Sequence, residues 1–197
     1  MSLYLLRHGQ TNWNKAGIIQ GRYDVPLNDE GRRQAKEAKK TLDEVTFDYC
    51  YCSPLCRARE TMELALGDRI QDIEVVFDDR LVEMAYGNYE GTDWRAGDYQ
   101  SARRRLAYRF AKGESYLDVA HRAFSLLDEL KEKATKGNVL LVCHGGIARV
   151  INSYFIDAVD NDSFIDNICP NGGIRKYEYT DRYIAPVIEI PDNLKGI

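Results

Sequence analysis

The sequence predicts an α/β fold, a three-layer α/β/α sandwich around a mostly parallel central sheet. Three observations carry that prediction. Apolar runs too short for helices (Leu3–Leu6, Tyr49–Cys52, Ile73–Phe77 and Asn138–Cys143) recur along the chain. Between them lie stretches with apolar residues at helical spacing, the alternation that builds strand–helix–strand units. No internal repeat, low-complexity tract or linker interrupts the pattern. Residues 1–197 therefore read as one domain, long enough to bury a substantial core.

The first strand runs into Arg7-His8-Gly9, where glycine allows a sharp turn and Thr11 or Asn12 is suited to cap the segment after it. Gln20–Leu27 is a turn-rich connection. Asn28 then caps an expected helix whose apolar stripe is Ala35, Ala38, Leu42 and Val45. The Tyr49–Cys52 strand stops at Ser53-Pro54, and a helix over about residues 55–66 carries Arg57, Arg59 and Glu60 near its start. Ile73–Phe77 is the third strand, followed by an acidic loop and Leu81–Gly87. Ser115 and Asp118 stand at capping-box spacing ahead of a long helix. Leu117, Ala120, Phe124, Leu127 and Leu130 are its expected core stripe, and Gly137 its end. Asn138–Cys143 is the clearest buried strand, followed by His144-Gly145-Gly146 and a helix over Ile147–Phe155. Ile174–Thr180 and Tyr183–Ile190 are expected to pair near a sheet edge.

Composition narrows the function classes. No cationic leader opens the sequence and no apolar run approaches membrane-spanning length, so a soluble cytoplasmic protein with no membrane partner is the expectation. A net charge of −4 weighs against nucleic-acid binding, and an anionic substrate would need a local cationic pocket. The five cysteines are odd in number and read as reduced thiols. Cys50, Cys52 and Cys56 lack zinc-ribbon spacing, and Ile165 occupies the position where a calcium loop beginning at Asp160 needs glycine. Neither a dinucleotide fingerprint nor a P-loop occurs. No metal and no cofactor are expected; oligomeric state is not legible.

Two strands end alike. Leu5-Leu6-Arg7-His8-Gly9 and Leu141-Val142-Cys143-His144-Gly145 each place an imidazole at a strand's carboxyl end, and these are two of three histidines in the chain. The third, His121, lies in a polar part of a helix and reads as a surface residue.

Six pieces in order resemble the histidine phosphatase superfamily, the phosphoglycerate mutase-like fold, over nearly the whole length. They are Arg7-His8-Gly9 with Thr11 and Asn14, Gln20-Gly21 with Asp24, Pro26 and Leu27, and Ser53-Pro54-Leu55-Cys56-Arg57-Ala58. Then come Leu81 and Glu83 before Gly87 and Glu90-Gly91, Gly113-Glu114-Ser115 with Asp118, and His144-Gly145. The resemblance implies a phosphomonoesterase acting on a small phosphorylated metabolite. His8 would be the nucleophile, Arg7, Arg57 and His144 would hold the phosphoryl group, and Glu83 would move the proton. Asn14, Gln20, Gly21, Tyr86 and Gly145 would complete the pocket by the same analogy. These residue types suit the chemistry, because phosphoryl transfer asks chiefly for alignment and for stabilisation of spread negative charge.

Rival readings have their own signals. Cys143-His144-Gly145-Gly146-Ile147-Ala148-Arg149 matches the C-x-x-G-x-x-R loop of cysteine-dependent phosphatases, with Cys143 as nucleophile and Arg149 as clamp. A phosphoglycerate mutase would need a second anion site. Trp94 stands about where mutases of the family carry a lysine, although Arg103-Arg104-Arg105 could stand in for their paired arginines. A non-catalytic phospholigand-binding module is the third reading, and the full catalytic set weighs against it. Within the segment 92–113, residues 94–112 hold Arg95, Arg103, Arg104, Arg105, Arg109 and Lys112 against Asp98. Most of these read as a solvated face, and the segment is also a candidate cap over an anionic ligand.

Overall fold

The computed structural model describes residues 2–157 and 160–180; the expected strand at Tyr183–Ile190 lies outside them. Five strands form one sheet: β1 (Leu3–Arg7), β2 (Tyr49–Cys52), β3 (Glu74–Phe77), β4 (Val139–Cys143) and β5 (Ile174–Tyr177). Their order is β3-β2-β4-β1-β5, parallel except for β5, which runs antiparallel to β1 at the edge. The helices are α1 (Asn12–Ala16), α2 (Asp29–Leu42), α3 (Cys56–Leu66), α4 (Gly97–Arg103), α5 (Tyr116–Lys136), α6 (Gly145–Phe155) and α7 (Asn161–Asp166). None of these is long and apolar enough to cross a membrane.

Alternation along the strands creates the three layers. Leu6, Cys50, Cys52, Leu140 and Val142 pack against Ala38 and Leu42 of α2 and Ala58 and Met62 of α3. Leu3, Leu5, Tyr51, Val139, Leu141 and Cys143 turn the other way, onto α5 and α6. The central strand β4 is buried along its whole length, as a parallel strand covered on both faces must be.

The helix boundaries follow their caps. Thr11 is the cap of α1, in a reciprocal box with Asn14. Asn28 accepts from the Gly31 N–H, and Ser115 forms the expected box with Asp118. Two expectations about α5 need correction. Leu117 is 59% exposed, while Tyr116, Val119, Ala123, Leu126, Leu127, Leu130 and Ala134 are buried. Leu127 and Leu130 are buried as expected, but in the first half of the helix Tyr116, Val119 and Ala123 take the core positions, with Ala120 and Phe124 only partly buried. Gly137 does end the helix, but at φ −161°, which any residue adopts. Glycine is needed there for space: a Cβ would sit 2.2 Å from Asp48 Oδ2.

Candidate active site

Register builds the site. Arg7 of β1 lies opposite Cys143 of β4, so the two chains leave the sheet at the same level, and the His8 N–H donates to the Cys143 carbonyl at 3.0 Å. The chain after β1 goes on to α2 on one face, and the chain after β4 turns into α6 on the other, opening a crevice at the strands' carboxyl ends. The rings of His8 and His144 meet there with centroids 5.1 Å apart.

His8 is 2% exposed. Its Nδ1 lies 2.7 Å from the Gly9 carbonyl oxygen. A carbonyl only accepts, so Nδ1 carries the hydrogen and Nε2 keeps a free lone pair. Burial first, then the charges of Arg57 and Arg7, push the His8 pKa well below 6.5, leaving the ring neutral. The Gly9 N–H donates to Thr61 Oγ1 at 3.0 Å, and that hydroxyl donates to the Arg57 carbonyl at 2.6 Å, tying the loop after His8 to α3. A Cβ at Gly9 would lie 2.3 Å from the Gly31 carbonyl oxygen, so only glycine fits.

Arg57, in the first turn of α3, is fully buried. Its guanidinium donates to the carbonyls of Tyr23 (2.7 Å) and Gly21 (2.9 Å) and, through Nε, to His144 Nδ1 at 3.2 Å. His144 Nε2 in turn lies 2.7 Å from Ser53 Oγ. With Nδ1 accepting, Nε2 carries the hydrogen and donates it to that hydroxyl. His144 is thus one layer back from the cavity, engaged at both nitrogens. Burial, then Arg57, then His8 lower its pKa well below 6.5 as well. Arg7 donates through Nη1 to the Cys169 carbonyl at 2.6 Å, while its buried Nε has no protein partner, a donor left for a ligand.

Glu83 is held by backbone. Oε1 accepts from the N–H groups of Met84 (2.8 Å) and Ile147 (3.1 Å), and Oε2 from Gly146 (2.9 Å), so the start of α6 grips this carboxylate. Tyr86 packs beside it, and burial followed by the Glu83 charge drives its phenol well above the usual range. Around the rim, Asn14 accepts from the Thr11 N–H at 3.1 Å, Gln20 Oε1 accepts from the Thr11 hydroxyl at 2.9 Å, and Gly21 adopts φ +51°.

Together these groups enclose a cavity of about 270 Å³. Arg7, His8, Asn14, Gln20, Gly21, Arg57, Glu83, Tyr86 and Gly145 line it; of the residues the histidine phosphatase resemblance assigns to the site, His144 alone does not. Trp94, Tyr99, Arg103, Arg149 and Asn171 line it as well. Tyr99, Ala102 and Arg103 share one buried face of α4, which sets Arg103 apart from the other two arginines of its run. Arg104, paired with Asp162, and Arg105, stacked over Tyr108, are exposed, as a solvated face requires. Cys143 points into the core packed on α5 and α6, and burial raises its thiol pKa well above the usual value. That is the reverse of what a thiolate nucleophile needs.

A sequence model described as histidine phosphatase superfamily (branch 1) matches residues 3–187. The chain is 33% identical over 160 residues to a probable phosphatase of Schizosaccharomyces pombe, spanning 80% of this chain and 74% of that protein. It is 32% identical to a 2,3-bisphosphoglycerate-dependent phosphoglycerate mutase of Lachnoclostridium phytofermentans, spanning 90% and 86%. Its structure is similar to that of a mycobacterial glucosyl-3-phosphoglycerate phosphatase in complex with VO3, with TM-score 0.79, 26% identity, and 89% and 90% of the two chains covered.

Proposed function

The chain belongs to the histidine phosphatase superfamily, and from that premise we propose that it hydrolyses small phosphomonoesters through a phosphohistidine on His8, without a metal ion. The observation that carries this reading is the His8 tautomer: Nδ1–H is spent on the Gly9 carbonyl, so the neutral Nε2 is the free nitrogen of a ring lining the cavity.

In the proposed first step, Nε2 attacks phosphorus, the ester P–O bond breaks, and its electron pair leaves with the alkoxide, which takes a proton from Glu83. In the second, water attacks the phosphohistidine and gives a proton to Glu83. The P–N bond breaks and its pair returns to Nε2, releasing inorganic phosphate. Arg57 and the unpartnered Nε of Arg7 supply fixed positive charge to the phosphoryl oxygens. His144 contributes by orienting Arg57 through the 3.2 Å bond between them. Residues 92–113, which bring Trp94, Tyr99 and Arg103 to the cavity, would cover the substrate and select it. Trp94 at the wall, in place of a lysine, supports hydrolysis over the mutase reaction. The test is release of inorganic phosphate from p-nitrophenyl phosphate in excess EDTA, with rapid-quench capture of phosphate on His8.

A further inference from the structure

Resting on that reading and deepening it, we propose that Thr61 is a positioning residue. Its hydroxyl holds the Gly9 backbone, so that the His8 ring keeps its hydrogen on Nδ1 and presents Nε2 at a fixed place relative to Arg57. The tautomer depends on one acceptor, the Gly9 carbonyl 2.7 Å from Nδ1. That acceptor belongs to a glycine, the residue whose backbone turns most freely, so contacts from outside the loop must hold it.

The loop is gripped from three sides. Gln34 of α2 accepts from the Gln10 N–H at 2.8 Å. Asn171 Nδ2 and the Gly172 N–H donate to the His8 carbonyl at 3.0 Å and 3.2 Å. Thr61 of α3 takes the Gly9 N–H at 3.0 Å, and that N–H has no other acceptor among the described residues. Gln34 and Asn171 are partly exposed, so water can replace either; Thr61 is fully buried, so nothing replaces its oxygen. Its polarity is also fixed. The hydroxyl hydrogen is spent on the Arg57 carbonyl at 2.6 Å, one helical turn back, which leaves the oxygen to accept. One hydroxyl therefore touches the backbone of the residue after His8 and the backbone of Arg57 itself, while lying outside the cavity. It sets the two groups against each other without meeting the substrate.

The experiment reads the ring directly, in the ligand-free protein at neutral pH. Long-range proton–nitrogen NMR spectra of wild type labelled at the histidine nitrogens should show well-separated Nδ1 and Nε2 resonances for His8, as a single Nδ1–H form gives. Thr61→Val keeps the side chain's shape and removes the hydroxyl; there the two resonances should move towards each other. Thr61→Ser should restore the wild-type pattern. In Thr61→Val, kcat for p-nitrophenyl phosphate should fall about tenfold or more, while the Kd for inorganic phosphate changes less than about threefold. That split is expected because Arg57 keeps its bonds to Tyr23, Gly21 and His144. Unmoved His8 resonances in folded Thr61→Val overturn the proposal, as does a Thr61→Ser variant that behaves like Thr61→Val. Equal losses in kcat and in phosphate affinity overturn it too, placing Thr61 in the general stability of α3. If Thr61→Val does not fold, Thr61→Cys, a weak acceptor, takes its place. Displaced His8 resonances in that variant support the proposal, and wild-type resonances overturn it. If the wild type fails to hydrolyse p-nitrophenyl phosphate, the phosphatase reading falls separately, since the spectra need no substrate.

Discussion

The Arg57 guanidinium and the His144 imidazole are joined by an Nε–H···Nδ1 bond of 3.2 Å. An arginine can only donate, so this contact requires a His144 ring nitrogen without hydrogen. A protonated His144 would set two donors face to face, inside a cluster that already holds Arg7. The placement of Arg57 and the neutral state of both histidines are therefore one arrangement.

Stability against acid depends on it. His8 and His144 have folded-state pKa values pushed well below the 6.5 of an unperturbed ring, by burial and then by Arg57. As pH falls below 6.5 the unfolded chain takes up these protons before the folded one does. Stability is thus full above pH 6.5 and declines below it, by up to about 1.4 kcal/mol per pH unit for each histidine. Urea denaturation at pH 7.5, 6.5 and 5.5 should show that decline, and His8→Asn should lessen its slope; equal slopes in the two proteins would count against the assignment.

His8→Ala is expected to lower kcat for p-nitrophenyl phosphate by at least about 10³-fold and to abolish phosphate trapping. Cys143→Ala should retain most activity, since its thiol lies in the core and outside the cavity. Steady-state kinetics on both variants decides between the two nucleophiles; the opposite pattern reverses the choice.

Glu83→Gln tests the proton-transfer role through the leaving group. An alkyl phosphate, whose alkoxide needs a proton as it departs, should lose about 10²–10⁴-fold in turnover. Phosphorylation of His8 by p-nitrophenyl phosphate, whose leaving phenolate is stable without one, should lose much less in a single-turnover burst. Equal losses would place Glu83 in binding alone.

Gly146→Ala should disable the enzyme while removing no functional group. Its Cβ would fall 2.5 Å from Tyr86 Oη and 2.6 Å from Glu83 Oε1, so the carboxylate must leave the amides at the start of α6. Overpacking of this kind costs about 1–3 kcal/mol. Turnover should fall about 10²-fold or more, the scale of a lost charge-stabilising or proton-transfer contact. Thermal melting and kinetics on one preparation separate the two effects; wild-type turnover would show that Glu83 needs no such seat.

Ser53→Ala leaves the His144 Nε2–H without its acceptor. A buried donor stranded in this way costs about 1–3 kcal/mol. The His144 ring can then flip or change tautomer, releasing Arg57, so KM for phosphate esters should rise. Ser53→Thr keeps the hydroxyl and should recover most of the loss; failure of that rescue would point to general destabilisation.

The sheet and the pairing of His8 with His144 were legible because each rests on local chemistry repeated twice, an apolar strand ending in His-Gly. Caps at Asn28 and Ser115 were legible for the same reason, since their partners lie three residues away. What escaped depends on how distant segments pack. Leu117 and Val119 are equally apolar, and nothing along the helix tells which will meet the sheet. Arg103 stands in a run of three arginines, and only the rotation of α4 turns that one inward. His144 looked able to reach the phosphate directly, but Ser53 and Arg57 occupy both its nitrogens.

The parallel alignment of Arg7 with Cys143 has a temporal corollary. His144 is translated long after His8, once the strands and helices that lie between them have been made. Pairing strands so far apart in sequence is among the slower steps of assembly. A nascent chain halted before β4 would be inert, and the first appearance of turnover during refolding would serve as a clock for the docking of that strand.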